Sequence, residues 1–399
     1  METVHIGDRI KERRDALGWG RDRLAREANR RAGLNTLTKK EISRYENGER
    51  YPRDWLRFLA LALGCSEGAL TGIEAPAEPP APRLSDYLPH DDPLAPLGAR
   101  GRRVGVSDVA DLNRRVHALR LADDVIAGRD LMRPALRQLR GAVELRRTRT
   151  YDDTVGRDLL IAIGELAQIV GWIASDAGQH DEAEHVYRLG ISAAHEAGDM
   201  TLAGHLLGSL GYQNSNAGDP REGVGMVTAA LEGALGQAPP RAQALYWDRV
   251  AWAHAKVGDQ ASAQAAMRAL GEAGEAMAQH AREEEPAYLY WVSSGELEIM
   301  EARVYTELHK PLRAVPLLSR VLDRYDATHA RELALYLSWL AVAYADANEP
   351  EQAAHTAARM LDLSDGVASD RTDGRSKLVI ERLKPFGDVP EVREVLDRR

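Results

Sequence analysis

Ala177-Gly178-Gln179-His180-Asp181-Glu182-Ala183 decides how most of this 399-residue chain folds, because versions of it recur along the sequence. AGDPREG stands at 217–223, VGDQASA at 257–263, LHKPLRA at 308–314 and ANEPEQA at 347–353, with a fainter AGRDLMR at 127–133. The turn position falls at 128, 178, 218, 258, 309 and 348, giving spacings of 50, 40, 40, 51 and 39 residues. The flanks of each turn are rich in Ala, Leu, Arg and Glu, which are strong helix formers, and no segment alternates as a strand would. Each unit is therefore a helix hairpin, and hairpins repeating at such a period stack into an array. The expected fold class is all-α.

The register within each unit supports this. Seven residues before the turn stand Gly171, Gly211, Ala251, Ala302 and Ala341, small enough for two helices to approach closely. Five residues after it, a small residue is followed four later by a larger or apolar one: Ala183 with Tyr187, Gly223 with Val227, Ala263 with Met267, Ala314 with Leu318, Ala353 with Ala357. That spacing is the packing stripe of a second helix. The pattern resembles tetratricopeptide repeats, although these units are longer than the family's basic one. The resemblance implies an α-solenoid whose first helices line a concave groove.

Upstream the composition changes. Between Ile73 and Gly105 lie Pro76, Pro79, Pro80, Pro82, Pro89, Pro93 and Pro96, which helix cannot survive, so 73–105 reads as a linker between domains at 1–72 and 106–399. Arg100, Arg102 and Arg103 at its end read either as a basic arm for a phosphate backbone or as ordinary solvated linker. Charge divides the same way. The net −9 resolves into +4 for residues 1–72 and −13 for the rest, as expected when one part meets a polyanion.

Cys65 is the single cysteine, so a disulfide within the chain or a thiolate zinc site is excluded. The N-terminus METVHIGDRIKERR lacks the apolar core of a signal peptide, which leads to the expectation of a cytoplasmic protein. The longest apolar run, Leu159 to Ser175, carries Glu165 and Gln168 and falls short of the ~20 residues that span a bilayer, so it reads as a buried helix.

The head reads as five short helices. Ile6–Leu17 ends at Gly18 and Arg21–Ala28 follows; Thr38 caps Lys39–Asn47, which Gly48 ends; Pro52 opens Arg53–Leu63, and a fifth lies near Ser66–Leu70. Leu24-Ala25, the run Ile42-Ser43-Arg44-Tyr45-Glu46-Asn47-Gly48-Glu49-Arg50, Pro52, Leu59-Ala60 and Ala62-Leu63-Gly64 together resemble the repressor-type helix-turn-helix of the phage lambda and Xre families. The connection Asn29–Leu37 is longer than usual there. The resemblance implies that the third helix enters the major groove by its N-terminal end. Lys39, Lys40 and Arg44 then suit guanine edges or adjacent phosphates, and Glu41 suits cytosine N4. Thr38 sits at that end as the cap, while Arg21, Ser43, Arg50 and Arg53 are placed for the backbone. The resemblance also implies a structural pair between Arg14 and Glu46, and a homodimer on an inverted repeat of double-stranded DNA.

In the array, the position six before each turn gives Trp172, Tyr212, Trp252, Arg303 and Val342, a row expected to face inward, with Asn216, Asp248 and Lys256 beside it. Rings and polar groups in register suit an extended peptide, or else the rings fill a narrow superhelix as core. A repressor-type head followed by such an array resembles the peptide-sensing regulators of Gram-positive bacteria, an architecture widespread in actinobacterial regulators. That resemblance implies ligand-controlled DNA binding, with docking of a partner protein as the alternative use of the groove. No phosphate loop, HExxH, GxSxG or GxGxxG motif occurs and the histidines lack ligand spacing, so neither an enzyme nor a cofactor or metal site is expected.

Overall fold

The computed structural model describes residues 5–65, 67–72, 81–98, 102–123, 128–279, 285–324, 330–364 and 370–398. Among these every regular element is helical and no strand occurs. The chain divides into two compact units, Met1–Pro80 and Ala81–Arg399.

The first unit holds α1 (Ile6–Ala16), α2 (Arg21–Ala32), α3 (Lys39–Glu46), α4 (Leu56–Leu63) and α5 (Glu67–Thr71). Ile10, Leu24, Ala28, Ile42, Leu59 and Leu70 form its core, one stripe from each helix. Two boundaries differ from the sequence reading. α2 runs on through Asn29–Ala32, because nothing breaks it before Gly33, which takes the left-handed conformation at φ 66°. The long connection is thus mostly helix, and the Asn29 side chain closes the remainder by bonding the amide and carbonyl of Leu37 at 3.0 and 2.8 Å. α4 begins about one turn later than expected, after a turn in which the Trp55 amide donates to the Pro52 carbonyl at 3.0 Å. Cys65 is half-buried, and burial pushes its thiol pKa up.

The second unit contains α6 (Val106–Asp123), α7 (Gly128–Thr148), α8 (Asp153–Asp176), α9 (His180–Glu196), α10 (Met200–Ala217), α11 (Pro220–Ala234), α12 (Pro240–Val257), α13 (Gln260–Met277), α14 (Ser294–Glu307), α15 (Pro311–Leu322), α16 (Ala330–Asp346), α17 (Pro350–Ser364), α18 (Asp370–Leu383) and α19 (Pro390–Leu396). All five well-marked turns join helices that pack on each other: α8 on α9, α10 on α11, α12 on α13, α14 on α15, α16 on α17. The first helices also stack in sequence, α8 on α10, α10 on α12, α12 on α14 and α14 on α16. The fainter sixth copy falls at the start of α7, with 124–127 outside the described residues.

Backbone geometry repeats with the sequence. Gly178, Gly258, His309 and Asn348, all at the same turn position, have φ of 72°, 75°, 52° and 61°. Such a left-handed residue ends a helix by freeing its last carbonyls for bonds to the following amides. Gly218 departs from this, with φ −124° and ψ −135°. The small and large positions meet as the register requires. A methyl group on Gly171 would lie 2.6 Å from the Tyr187 ring, and one on Gly211 2.6 Å from Val227 Cγ1. Ala263 and Met267 are only half-buried, so on α13 Ala266 and Leu270 carry the packing instead. Gly171→Val is expected to destabilise the second unit by about 1–3 kcal/mol through overpacking. Thermal unfolding followed by circular dichroism checks this, and an unchanged transition would mean that α8 and α9 are not held at that separation.

The expected linker divides at Pro80. From Ala81 onward the chain belongs to the second unit, because proline forbids helix but leaves leucines free to pack. Leu84, in a 3-10 turn at Leu84–Tyr87, and Leu94 are buried; Arg188 donates to the Tyr87 carbonyl at 3.1 Å, and the Leu97 amide to the Arg147 carbonyl at 2.8 Å. Arg102 and Arg103 pair with Asp108 and Asp152, which is not the behaviour of a free basic arm, and Arg100 lies outside the described residues. The apolar run at 159–175 also extends further than expected. α8 has 24 residues, long and apolar enough to cross a membrane, but 67% of its apolar window is buried inside the array.

Candidate functional site

In the first unit α3 is anchored on one side and open on the other. Ile42 and Tyr45 enter the core, and a methyl group on Gly7 would collide with the carbonyls of Tyr45 and Glu46, so α1 lies directly against the end of α3. Glu46 is fully buried and paired twice, with Arg14 Nε at 2.6 Å and Arg21 Nε at 2.6 Å. The hydrogen bond to Glu46 raises the Arg14 pKa above its ordinary value against the cost of burial. Arg21, expected to touch a DNA backbone, therefore shares the structural role foreseen for Arg14 alone, although its side chain remains 41% exposed.

Thr38 caps α3, accepting from the Glu41 amide at 3.4 Å. Lys39 and Lys40 project from the first turn, exposed, and among the described residues neither has an ion-pair partner. Glu41 bridges Arg44 at 2.9 Å and Arg50 at 3.0 Å. This small cluster neutralises the acid expected to read a base and orders two arginines beside it. Ser43 is half-buried, and Arg53 is exposed.

In the second unit four side chains of the row, Trp172, Tyr212, Trp252 and Arg303, come together, and Val342 is buried. Trp172 stacks on Tyr212 at 6.1 Å between ring centres, Tyr212 lies 5.9 Å from Trp252, and Trp252 meets Trp339 edge-on at 5.6 Å. Arg303 sits over Tyr212, Trp252 and Trp339 at 5.6, 4.9 and 5.4 Å, and donates to the Tyr212 hydroxyl. Asn216 accepts from Trp252 Nε1 at 3.2 Å and donates to the Tyr212 carbonyl at 2.8 Å, which fixes the indole. Lys256 pairs with Glu307 at 2.8 Å.

Two cavities flank this stack. One of about 520 Å³ is lined by Trp172, Tyr212, Asn216, Trp252, Lys256 and Trp339 among others. The other, of about 620 Å³, is lined by Arg120, Gln168, His205, Arg249, Tyr288 and Arg303 among others, and Trp172 and Arg303 face both. Both volumes suit a small ligand or a short peptide segment. Asp248, expected with the row, is buried and lines neither cavity; burial pushes its carboxyl pKa up.

The second cavity is where sequence reading was incomplete. Arg249 stands nine residues before its turn, and His205 and Leu335 thirteen before theirs, on the face that carries the aromatic row but one and two helical turns earlier; Trp339, also nine before its turn, lines the cavity of about 520 Å³. Extending the row by that rule would have found them. His205 stacks on Tyr288 at 5.3 Å, nearly parallel. Its pKa is pushed down to about 3 by burial first and then by the charges of Arg249 and Arg120. No group of three or more His, Cys, Asp or Glu side chains suited to a metal occurs among the described residues. Comparison of the sequence with protein-family models and with curated proteins finds no match.

Proposed function

We propose that this chain is a cytoplasmic, sequence-specific DNA-binding transcriptional regulator. In this reading the first unit is a repressor-type helix-turn-helix, and the second is a tetratricopeptide-like array that binds a regulatory ligand, by resemblance a peptide. The chain acts as a homodimer on an inverted repeat. The observation that carries the reading is the asymmetry of α3: Ile42, Tyr45 and Glu46 lock one face, while Lys39 and Lys40 stand exposed and unpaired at its N-terminal end. A helix held rigidly with free cations at its first turn is what major-groove entry requires. The concave, half-open cavities on the aromatic row suit a small ligand or short peptide better than a folded partner, which needs a broad open surface.

Selection of binders from a random duplex library, followed by fluorescence anisotropy, tests the DNA half. Enrichment of an inverted repeat is expected. Lys39→Ala and Lys40→Ala should each weaken binding by about tenfold, and a variant that loses a phosphate contact should flatten the salt dependence by about one in log–log slope. A full-length protein that enriches nothing, or variants that bind as the parent does, would refute it. The ligand half predicts that an occupied array alters DNA affinity, since a ligand shifts an equilibrium only by its difference in affinity for the two states.

A further inference from the structure

We infer that the cavity lined by Arg249 and Arg303 is an anion site, taking the carboxylate or phosphate of a small ligand whose flat body lies against Trp172 and the His205–Tyr288 pair. The inference rests on the array's being a ligand sensor and assigns the chemistry of what it senses.

Both guanidinium groups are buried, with Arg249 5% and Arg303 7% exposed, and both face the cavity. Among the described residues neither forms an ion pair. Arg249 lies 4.2 Å from the centre of the Tyr212 ring, and Arg303 is held by three rings and one hydroxyl, so neutral π faces stand where a counter-ion would. Arg303 Nε has no hydrogen-bond partner. A buried guanidinium without a carboxylate is costly, and proteins normally pair it.

The neighbouring acids do not fill the gap. Glu165 is taken by Arg120 at 2.9 Å; Glu296 accepts from the Tyr336 hydroxyl at 2.6 Å; Glu298 lies by Arg320 and Arg324 at 3.8 and 3.7 Å. Asp123 lines the cavity without forming an ion pair with Arg249 or Arg303; Asp248, outside the lining, acts on both guanidinium groups electrostatically but from beyond ion-pair distance, so it leaves their N–H groups free for a ligand. Two forked donors converging on one cavity of about 620 Å³ match a planar carboxylate or a phosphate, each able to accept paired N–H bonds. Ile169, Trp172, Met300, Tyr288 and Leu335 give the cavity an apolar and aromatic side, while Glu296, Glu298 and Glu332 line it together with Arg324 and Arg120. Burial of a ring there would add affinity, while the two arginines select for charge.

The test uses three ring-matched probes on the full chain: 2-naphthoate, 2-naphthyl phosphate and the uncharged 2-naphthamide, with binding read by calorimetry and thermal shift. One of the two anions is expected to bind at least about tenfold more tightly than the amide, as a charge-assisted pair outweighs a neutral bond. The tighter anion identifies whether carboxylate or phosphate is the natural head group. Arg249→Met and Arg303→Met should each abolish that preference. The melting temperature of ligand-free Arg249→Met should stay level or rise, because an unpaired buried cation is removed; a structural arginine would lower it. Equal binding of anions and amide, no binding of any probe at millimolar concentration, or an unchanged preference in both variants overturns the anion site. Selective binding that leaves DNA affinity unaltered would keep the anion site and remove the regulatory reading instead.

Discussion

Glu46→Ala is expected to unfold the N-terminal unit at physiological temperature while leaving the array folded. The Glu46 carboxylate is fully buried, with one oxygen 2.6 Å from Arg14 and the other 2.6 Å from Arg21. Removing it takes from the Arg14 guanidinium, whose side chain is 8% exposed, its buried carboxylate and leaves it the exposed Asp15 and the Trp19 carbonyl at 2.6 Å. Breaking a buried pair by deleting one partner costs about 3–5 kcal/mol, and the contacts that remain to Arg14 put this case toward the lower end. Small domains lie near the bottom of the roughly 5–15 kcal/mol range of folding stability, so that cost takes most of it. Calorimetry of the full chain should show a low-temperature transition lost and the transition of the second unit unmoved, and DNA binding should disappear with the first. Replacing Arg14 and Glu46 together by methionine should restore part of the stability, because apolar residues of similar size remove both desolvation penalties. If Glu46→Ala melts as the parent does, the paired carboxylate is not what joins α1 and α2 to α3.

The repeats were legible because they depend on local rules. A left-handed turn residue, a glycine or alanine seven before it and an alanine five after it are short-range demands, and the backbone meets them at Gly178, Gly258, His309 and Asn348. The aromatic row followed from the same register and came together as Trp172, Tyr212 and Trp252. The packing of Leu84 and Leu94 was hidden because proline-rich composition reports the absence of helix, not the absence of burial. The Glu41 bridge to Arg44 and Arg50 was hidden because it joins α3 to a residue nine positions on across a turn, where sequence spacing says nothing about distance. Arg249 was missed for a different reason. It stands one helical turn before Trp252, and a row read at a single position per repeat does not reach the next turn of the same face.

The array should lose stability on mild acidification, and His205 should account for much of the loss. In the unfolded chain an imidazole takes up a proton near pH 6.5, whereas His205 resists protonation down to about pH 3, held neutral by burial and by Arg249 and Arg120. Between those values the unfolded state binds more protons, so stability is complete above the upper one and falls as pH falls toward the lower. Each pH unit is worth about 1.4 kcal/mol per proton, so moving from about pH 7 to pH 5 costs about 2 kcal/mol, and the full window about 5 kcal/mol. His254, half-buried and also pushed down, adds to the same trend. Asp248 works in the opposite sense, because its raised pKa makes the folded state the better proton acceptor as the medium turns acid. The contribution of His205 is therefore isolated by a variant. His205→Phe keeps a ring against Tyr288 and removes a buried Nε2 that has no hydrogen-bond partner, so its stability near neutrality should match the parent's. Urea unfolding at the two pH values should show the variant retaining about 2 kcal/mol that the parent loses. Parallel losses in the two proteins would mean that His205 is protonated in the folded array, and hence that Arg249 and Arg120 do not hold this cavity positive.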